Sequence, residues 1–105
     1  MSMEDALELA RKAESEDEVP VGAVIVYQGR IVGRGRNQRE QKKSPISHAE
    51  IEAIAEASRN LGDWRLSDCD LYVTLEPCPM CLAACQQARV KRVIYGATDP
   101  KGGAI

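Results

Sequence analysis

Apolar residues recur near the N-terminus at helical intervals. Met3, Ala6, Leu7, Ala10 and Ala13 fall on one side of a helix predicted over Ser2 to Ala13, with acids gathered in its first turns. After the acidic turn Ser15 to Glu18, Pro20 ends anything helical. The pattern then switches to two β-rich runs, Val21 to Tyr27 and Arg30 to Gly35, flanking Gln28-Gly29. A short connection whose glycine takes positive φ predicts a hairpin. Polar residues fill Arg36 to Ser44, a loop punctuated by Pro45. Helical spacing resumes from Ser47 to about Asn60, with Ile51, Ile54, Ala55 and Leu61 as its apolar side and Gly62 in its stop signal. Leu71 to Leu75 reads as a buried strand, Pro77 to about Ala88 as a third helix opened by its proline, and Val90 to Ala97 as a last strand. The order α-β-β-α-β-α-β, free of repeats and low-complexity segments, predicts an α/β domain whose crossover helices bring parallel strands into the sheet and lie on its faces.

Composition narrows this picture. At 105 residues the chain is the size of one domain, residues 1–105, and without phenylalanine its core must be built mainly from Val, Ile, Leu and Ala. Its longest apolar run, Ala23 to Tyr27, is far short of the ~20 residues of a membrane span, and its acidic N-terminus is unlike a signal peptide. A cytoplasmic location and no membrane partner are expected. Charge is unevenly spread. Residues 1–18 hold seven acids against Arg11 and Lys12, whereas Arg30, Arg34, Arg36, Arg39, Lys42 and Lys43 face Glu40 alone within residues 30–43. That basic segment is either a solvated loop or a local footprint for phosphates. Four cysteines without an export signal favour metal or catalysis over disulfides.

Candidate chemistry lies at the predicted starts of the second and third helices. Cys78 and Cys81 are three residues apart, where the positive helix end favours thiolate. Alone, that spacing fits half of a zinc site, a redox pair or two buried cysteines. His48, the only histidine, opens the other crossover helix, and both helix starts should reach the same sheet edge. His48, Cys78 and Cys81 can then converge, and three protein ligands on tetrahedral zinc leave a fourth position for water. Glu50 has two readings. It is a carboxylate that can reach that water, or the far end of a capping box, Ser47-x-x-Glu50, bonded back to the Ser47 N–H.

His48-Ala49-Glu50 followed by Pro77-Cys78-Pro79-Met80-Cys81 resembles the H-x-E…P-C-x-x-C signature of zinc nucleobase deaminases. V-P-V-G-A-V-I-V (19–26), Asn37, S-H-A-E-I-E-A-I (47–54), W-R-L (64–66), L-Y-V-T-L-E-P-C-P-M-C (71–81) and Y-G-A-T-D-P-K-G-G-A (95–104) are similar to the bacterial tRNA adenosine deaminases of the cytidine/deoxycytidylate deaminase superfamily. The resemblance implies a three-layer α-β-α fold around a mixed sheet, here of about four strands. It also implies hydrolysis of adenosine to inosine at the wobble position of a tRNA anticodon stem-loop. One zinc per chain would be held by His48, Cys78 and Cys81. Glu50 would carry the proton from water to the ring nitrogen and then to leaving ammonia, Asn37 would bond the flipped nucleotide, and the Ala49 N–H would contact the base. Family members are homodimers.

The sequence departs from that pattern in places. It stops at Ile105, where family members continue through a further strand and a C-terminal helix, so a weak or inactive enzyme is expected unless a partner completes the sheet. Cys85 stands where the family has a large aliphatic residue; it reads as a buried small hydrophobe, with zinc ligation the rival reading. Cys69 is taken as structural, Met80 and Trp64 as packing residues, and Glu76 as the rival carboxylate or a pin for the strand-to-helix turn. A deaminase of free guanine or a small nucleoside, a non-catalytic zinc-stabilised module and a redox protein are the other functional readings.

Overall fold

Gln28 and Gly29 both take positive φ, 50° and 75°. This is the backbone sign pattern of a type I′ turn, and it folds β1 (Gly22–Tyr27) antiparallel onto β2 (Arg30–Arg36). The expected hairpin is present, with a bulge: Ile25 pairs with Gly33 and Val26 with Ile31, leaving Val32 between them. In the computed structural model, which describes residues 2–105, the remaining elements are α1 (Ser2–Ser15), α2 (Arg39–Lys42), α3 (Ala49–Leu61), β3 (Cys69–Leu75), α4 (Pro79–Gln87) and β4 (Arg92–Ala97). The strands form one sheet in the order β2-β1-β3-β4. β1 is antiparallel to both neighbours and β3 is parallel to β4, so the sheet is mixed, as expected.

Pairing register assigns the faces. Ala23 lies opposite Gly35 and Val73, and these three share one face; Val24, Arg34 and Tyr72 share the other. A Cβ on Gly35 would fall on the α3 backbone at Ala49 and Ala53, and one on Gly22 would fall on the α1 backbone at Ala6 and Ala10. Consequently α3 and α1 lie on opposite faces and give the three-layer α-β-α arrangement. The main core unites Ala23, Ile25, Leu71 and Val73 of the sheet with Ala49, Ala53 and Ala57 of α3 and with Cys85 and Ala88 at the end of α4. No described helix is long and apolar enough to cross a membrane.

Several expectations need correction. The fully buried stripe of α3 is Ala49, Ala53 and Ala57; Ile54 and Leu61 pack half-buried against the same core, Ile51 is half-buried and Ala55 is exposed. Glycines on β2 let the helix approach so closely that only alanine fits between. The segment read as a loop contains the one-turn α2, and β3 begins at Cys69 rather than Leu71. α4 starts at Pro79, not Pro77. Val90 is not in β4. Its N–H donates to Cys85 O across Arg89, whose φ of 65° is the left-handed conformation of a helix C-terminal motif. Trp64, read as a packing residue, is 54% exposed, with the guanidinium of Arg65 4.6 Å from its ring centre.

Candidate metal centre and active site

His48 is the N-cap residue of α3 and Cys78 that of α4, both with extended backbone (φ −78°, ψ 156° and φ −73°, ψ 170°). The capping box is therefore out of frame by one residue. Ser47 is not the N-cap, its N–H donates to Ser44 O, and Glu50 is the second helical residue rather than the third. Pro79 takes the first helical position of α4, where its missing N–H costs nothing and its ring fixes φ. Neither N-cap side chain caps the N–H groups of its own helix. Each is free to project beyond the helix end, toward the other.

There they meet. His48 Nδ1 lies 3.6 Å from Cys78 Sγ and 3.4 Å from Cys81 Sγ, and the three ligand atoms all fall within 4.8 Å of one another. Tetrahedral zinc, with its usual bond lengths to nitrogen and sulfur, sets N···S separations of about 3.6 Å. The donor set and its spacing fit zinc. Electrostatics supply a second test. Burial first, and then the Arg39 guanidinium, hold the His48 imidazole below its ordinary value, which favours the neutral form that ligates. Burial, then the Glu50 carboxyl, push the Cys81 thiol above its ordinary range. A divalent cation reverses that preference, so loading the site must release thiol protons.

Glu50 is 5% exposed and lines the same pocket. Burial pushes its carboxyl up; its own backbone N–H and the Cys81 thiol pull it the other way. The pocket, about 160 Å³, is lined by His48, Glu50 and Cys78 together with Asn37, Ala49 and Glu76. Asn37 Oδ1 accepts the Arg39 N–H at 3.1 Å, leaving the amide nitrogen as its free donor. Ala49 opens α3, so its N–H has no partner within the helix. Cys85, 2% exposed, is outside the ligand group and its thiol is pushed up to about 12 by burial and by Glu50. Cys69 is buried at the start of β3, as a structural residue would be. Of the basic segment, Arg36 is paired with Glu16 and Lys42 with Glu52, whereas Arg39 lines the pocket.

Arg39 and Asp99 also line this pocket and were not singled out as site residues in the sequence. Arg39 was visible only as part of a basic run, and Asp99 reaches the site through tertiary contacts. Glu76 is also at the pocket, but both its oxygens accept backbone N–H groups, from Asp99 at 3.1 Å and Ile105 at 2.7 Å. It pins the segment after β4 rather than the strand-to-helix turn.

A sequence model of the cytidine and deoxycytidylate deaminase zinc-binding region matches residues 1–97. The chain is 52% identical over 101 residues to the tRNA-specific adenosine deaminase of Bacillus subtilis, covering 96% of this chain and 63% of that protein. It thus spans just under two thirds of that relative's length. A chain solved in studies of A-to-I editing by tRNA deaminases at the wobble position superposes with a TM-score of 0.96, at 52% identity, over 98% of this chain and 75% of that one. The guanine deaminase of Bacillus subtilis superposes with a TM-score of 0.89 at 42% identity, over 92% of this chain and 62% of that one. Two helix starts that bring one histidine and two cysteines together over a buried glutamate, on a three-layer mixed-sheet fold, agree with the family match: the chain belongs to the cytidine and deoxycytidylate deaminase zinc-binding family.

Proposed function

We propose that the protein is a zinc-dependent hydrolytic deaminase that converts adenosine to inosine at the wobble position of a tRNA anticodon stem-loop, working in the cytoplasm as a homodimer. The observation that carries this reading is the convergence of His48, Cys78 and Cys81 beside the buried Glu50 in one pocket. His48, Cys78 and Cys81 hold zinc, which when bound supplies Lewis-acid activation of water. Glu50 takes the proton from the attacking water and delivers it to the ring nitrogen beside the attacked carbon. The same carboxyl then takes the remaining proton of the attacking oxygen and gives it to the amino group, which leaves as ammonia as the C–N bond breaks. The raised value of Glu50 suits a group that must both accept and return a proton. The Ala49 N–H holds the base and the Asn37 amide nitrogen holds the nucleotide. Arg39 at the pocket, with exposed Arg30, Arg34 and Lys43 nearby in sequence, offers charge to a phosphate backbone.

Glu50→Gln tests the assignment. The variant should keep one zinc per chain and lose roughly 10²- to 10⁴-fold in inosine formation on an anticodon stem-loop, the usual worth of a proton-transferring side chain. Retained activity would remove Glu50 from the chemistry. The likeness to a guanine deaminase favours free guanine as the second reading; turnover of guanine with none of the stem-loop would establish it instead.

A further inference from the structure

Glu18, Glu50 and Glu76 are the buried acids of the described chain. Glu50 belongs to the reacting centre. The other two spend both carboxyl oxygens on backbone N–H groups distant in sequence. Glu18 accepts from Glu40 N at 3.1 Å and Gln41 N at 2.8 Å, 22 and 23 residues away. Glu76 accepts from Asp99 N at 3.1 Å and Ile105 N at 2.7 Å, 23 and 29 residues away.

The two captured segments are different walls of the same pocket. One carries Asn37 and Arg39, the other Asp99. Neither lies within the sheet, although the first is tied at its start by backbone bonds from Asn37 N to Val21 O at 3.2 Å and from Gln38 N to Ser47 O at 2.9 Å. The first contains only the one-turn α2, and residues 98–105 follow the end of β4 without regular structure. Local backbone bonds add to the second wall, from Gly103 N to Asp99 O and from Ala104 N to Pro77 O, both 3.0 Å. Gly103 also packs so tightly that a Cβ there would strike the Glu76 carboxyl. A buried acceptor that serves two N–H groups holds a segment firmly, because removing it strands both donors.

The geometry points to Glu18 and Glu76 as paired positioning residues that fasten the two irregular walls of the metal pocket and so set how tightly substrate is held. This rests on the deaminase reading of that pocket. Glu76 then serves that wall rather than the proton transfer, each of its oxygens already accepting a backbone N–H.

Glu18→Gln and Glu76→Gln in the full zinc-loaded chain test the inference, because a carboxamide keeps one acceptor and opposes the second N–H with its own NH₂. Zinc content and kcat on the anticodon stem-loop should stay within about twofold of wild type, while KM rises about tenfold, the worth of roughly one hydrogen bond. Amide exchange should accelerate at Glu40 and Gln41 in the first variant and at Asp99 and Ile105 in the second, each leaving the other wall protected. Gly103→Ala, which displaces the Glu76 carboxyl without altering it, should reproduce the second pattern even if Glu76→Gln fails to fold. In the Glu18→Gln/Arg39→Ala double variant KM should rise less than the product of the single effects, as expected if Glu18 acts through that wall. Unchanged exchange at these four amides overturns the clamps whatever the substrate. Faster exchange at unchanged KM, or a fall in kcat at unchanged KM, overturns their role in holding substrate. A wild type that leaves the stem-loop untouched sinks the tRNA reading alone; the KM comparison is then made with free guanine, and if guanine is also untouched the role in holding substrate falls with the deaminase reading.

Discussion

N-cap side chains ordinarily turn back onto the first N–H groups of their helix. His48 and Cys78 do not, and this is what makes them available to a cation. The identities of these residues, of Cys81 and of Glu50 were legible in the sequence because the motif spacing is local to each helix start. The frame was not: Ser47-x-x-Glu50 satisfies a capping box as written, and only the fold shows the helix beginning one residue later. Cys85 presents the opposite case, a residue with ligand chemistry in the wrong place. One helical turn from Cys81, it is 2% exposed and packs in the main core. Cys85→Ala should keep one zinc per chain and cost about 1 kcal/mol in urea unfolding, as removal of one buried heavy atom does. Loss of zinc in that variant would make Cys85 a ligand.

At the scale of elements, α3 is placed by what β2 lacks. Gly33 and Gly35 present bare backbone to Ala49, Ala53 and Ala57, and the contact at Gly35 lies directly under the first turn of α3. Gly35→Ala should therefore cost about 1–3 kcal/mol by overpacking, read from thermal or denaturant melts. It should also weaken zinc retention against a chelator, because it lifts the helix start that carries His48. A melt identical to wild type would show that the helix is not seated there. The small-residue packing explains which parts of the fold were legible. Periodicity found each long element, but it missed the alanines at the centre of the buried face of α3, since hydrophobic size is visible in a sequence and the distance between helix and sheet is not. α2 was missed because its N–H acceptor, Glu18, lies 22 residues upstream of Glu40. Nothing in the polar run from Arg36 to Ser44 signals it.

For the molecule as a whole, chain order and spatial order differ. β1 sits between β2 and β3, so the first half of the sequence lends its central strand to the second half. The ligands divide in the same way, His48 before the α3–β3 connection and Cys78 and Cys81 after it. That connection is exposed from Gly62 to Arg65, and Gly62 already ends α3 in a left-handed conformation with φ of 68°. A chain cut between Gly62 and Asp63 gives two fragments, neither of which holds a complete ligand set. Their association should tighten when zinc is added and relax when it is chelated, measured by calorimetric titration; equal affinity in both conditions would show that the metal does not couple the halves. A site built from two helix starts is thus also a molecular AND gate, in which an inorganic ion reports whether two separately encoded pieces of backbone have found one another.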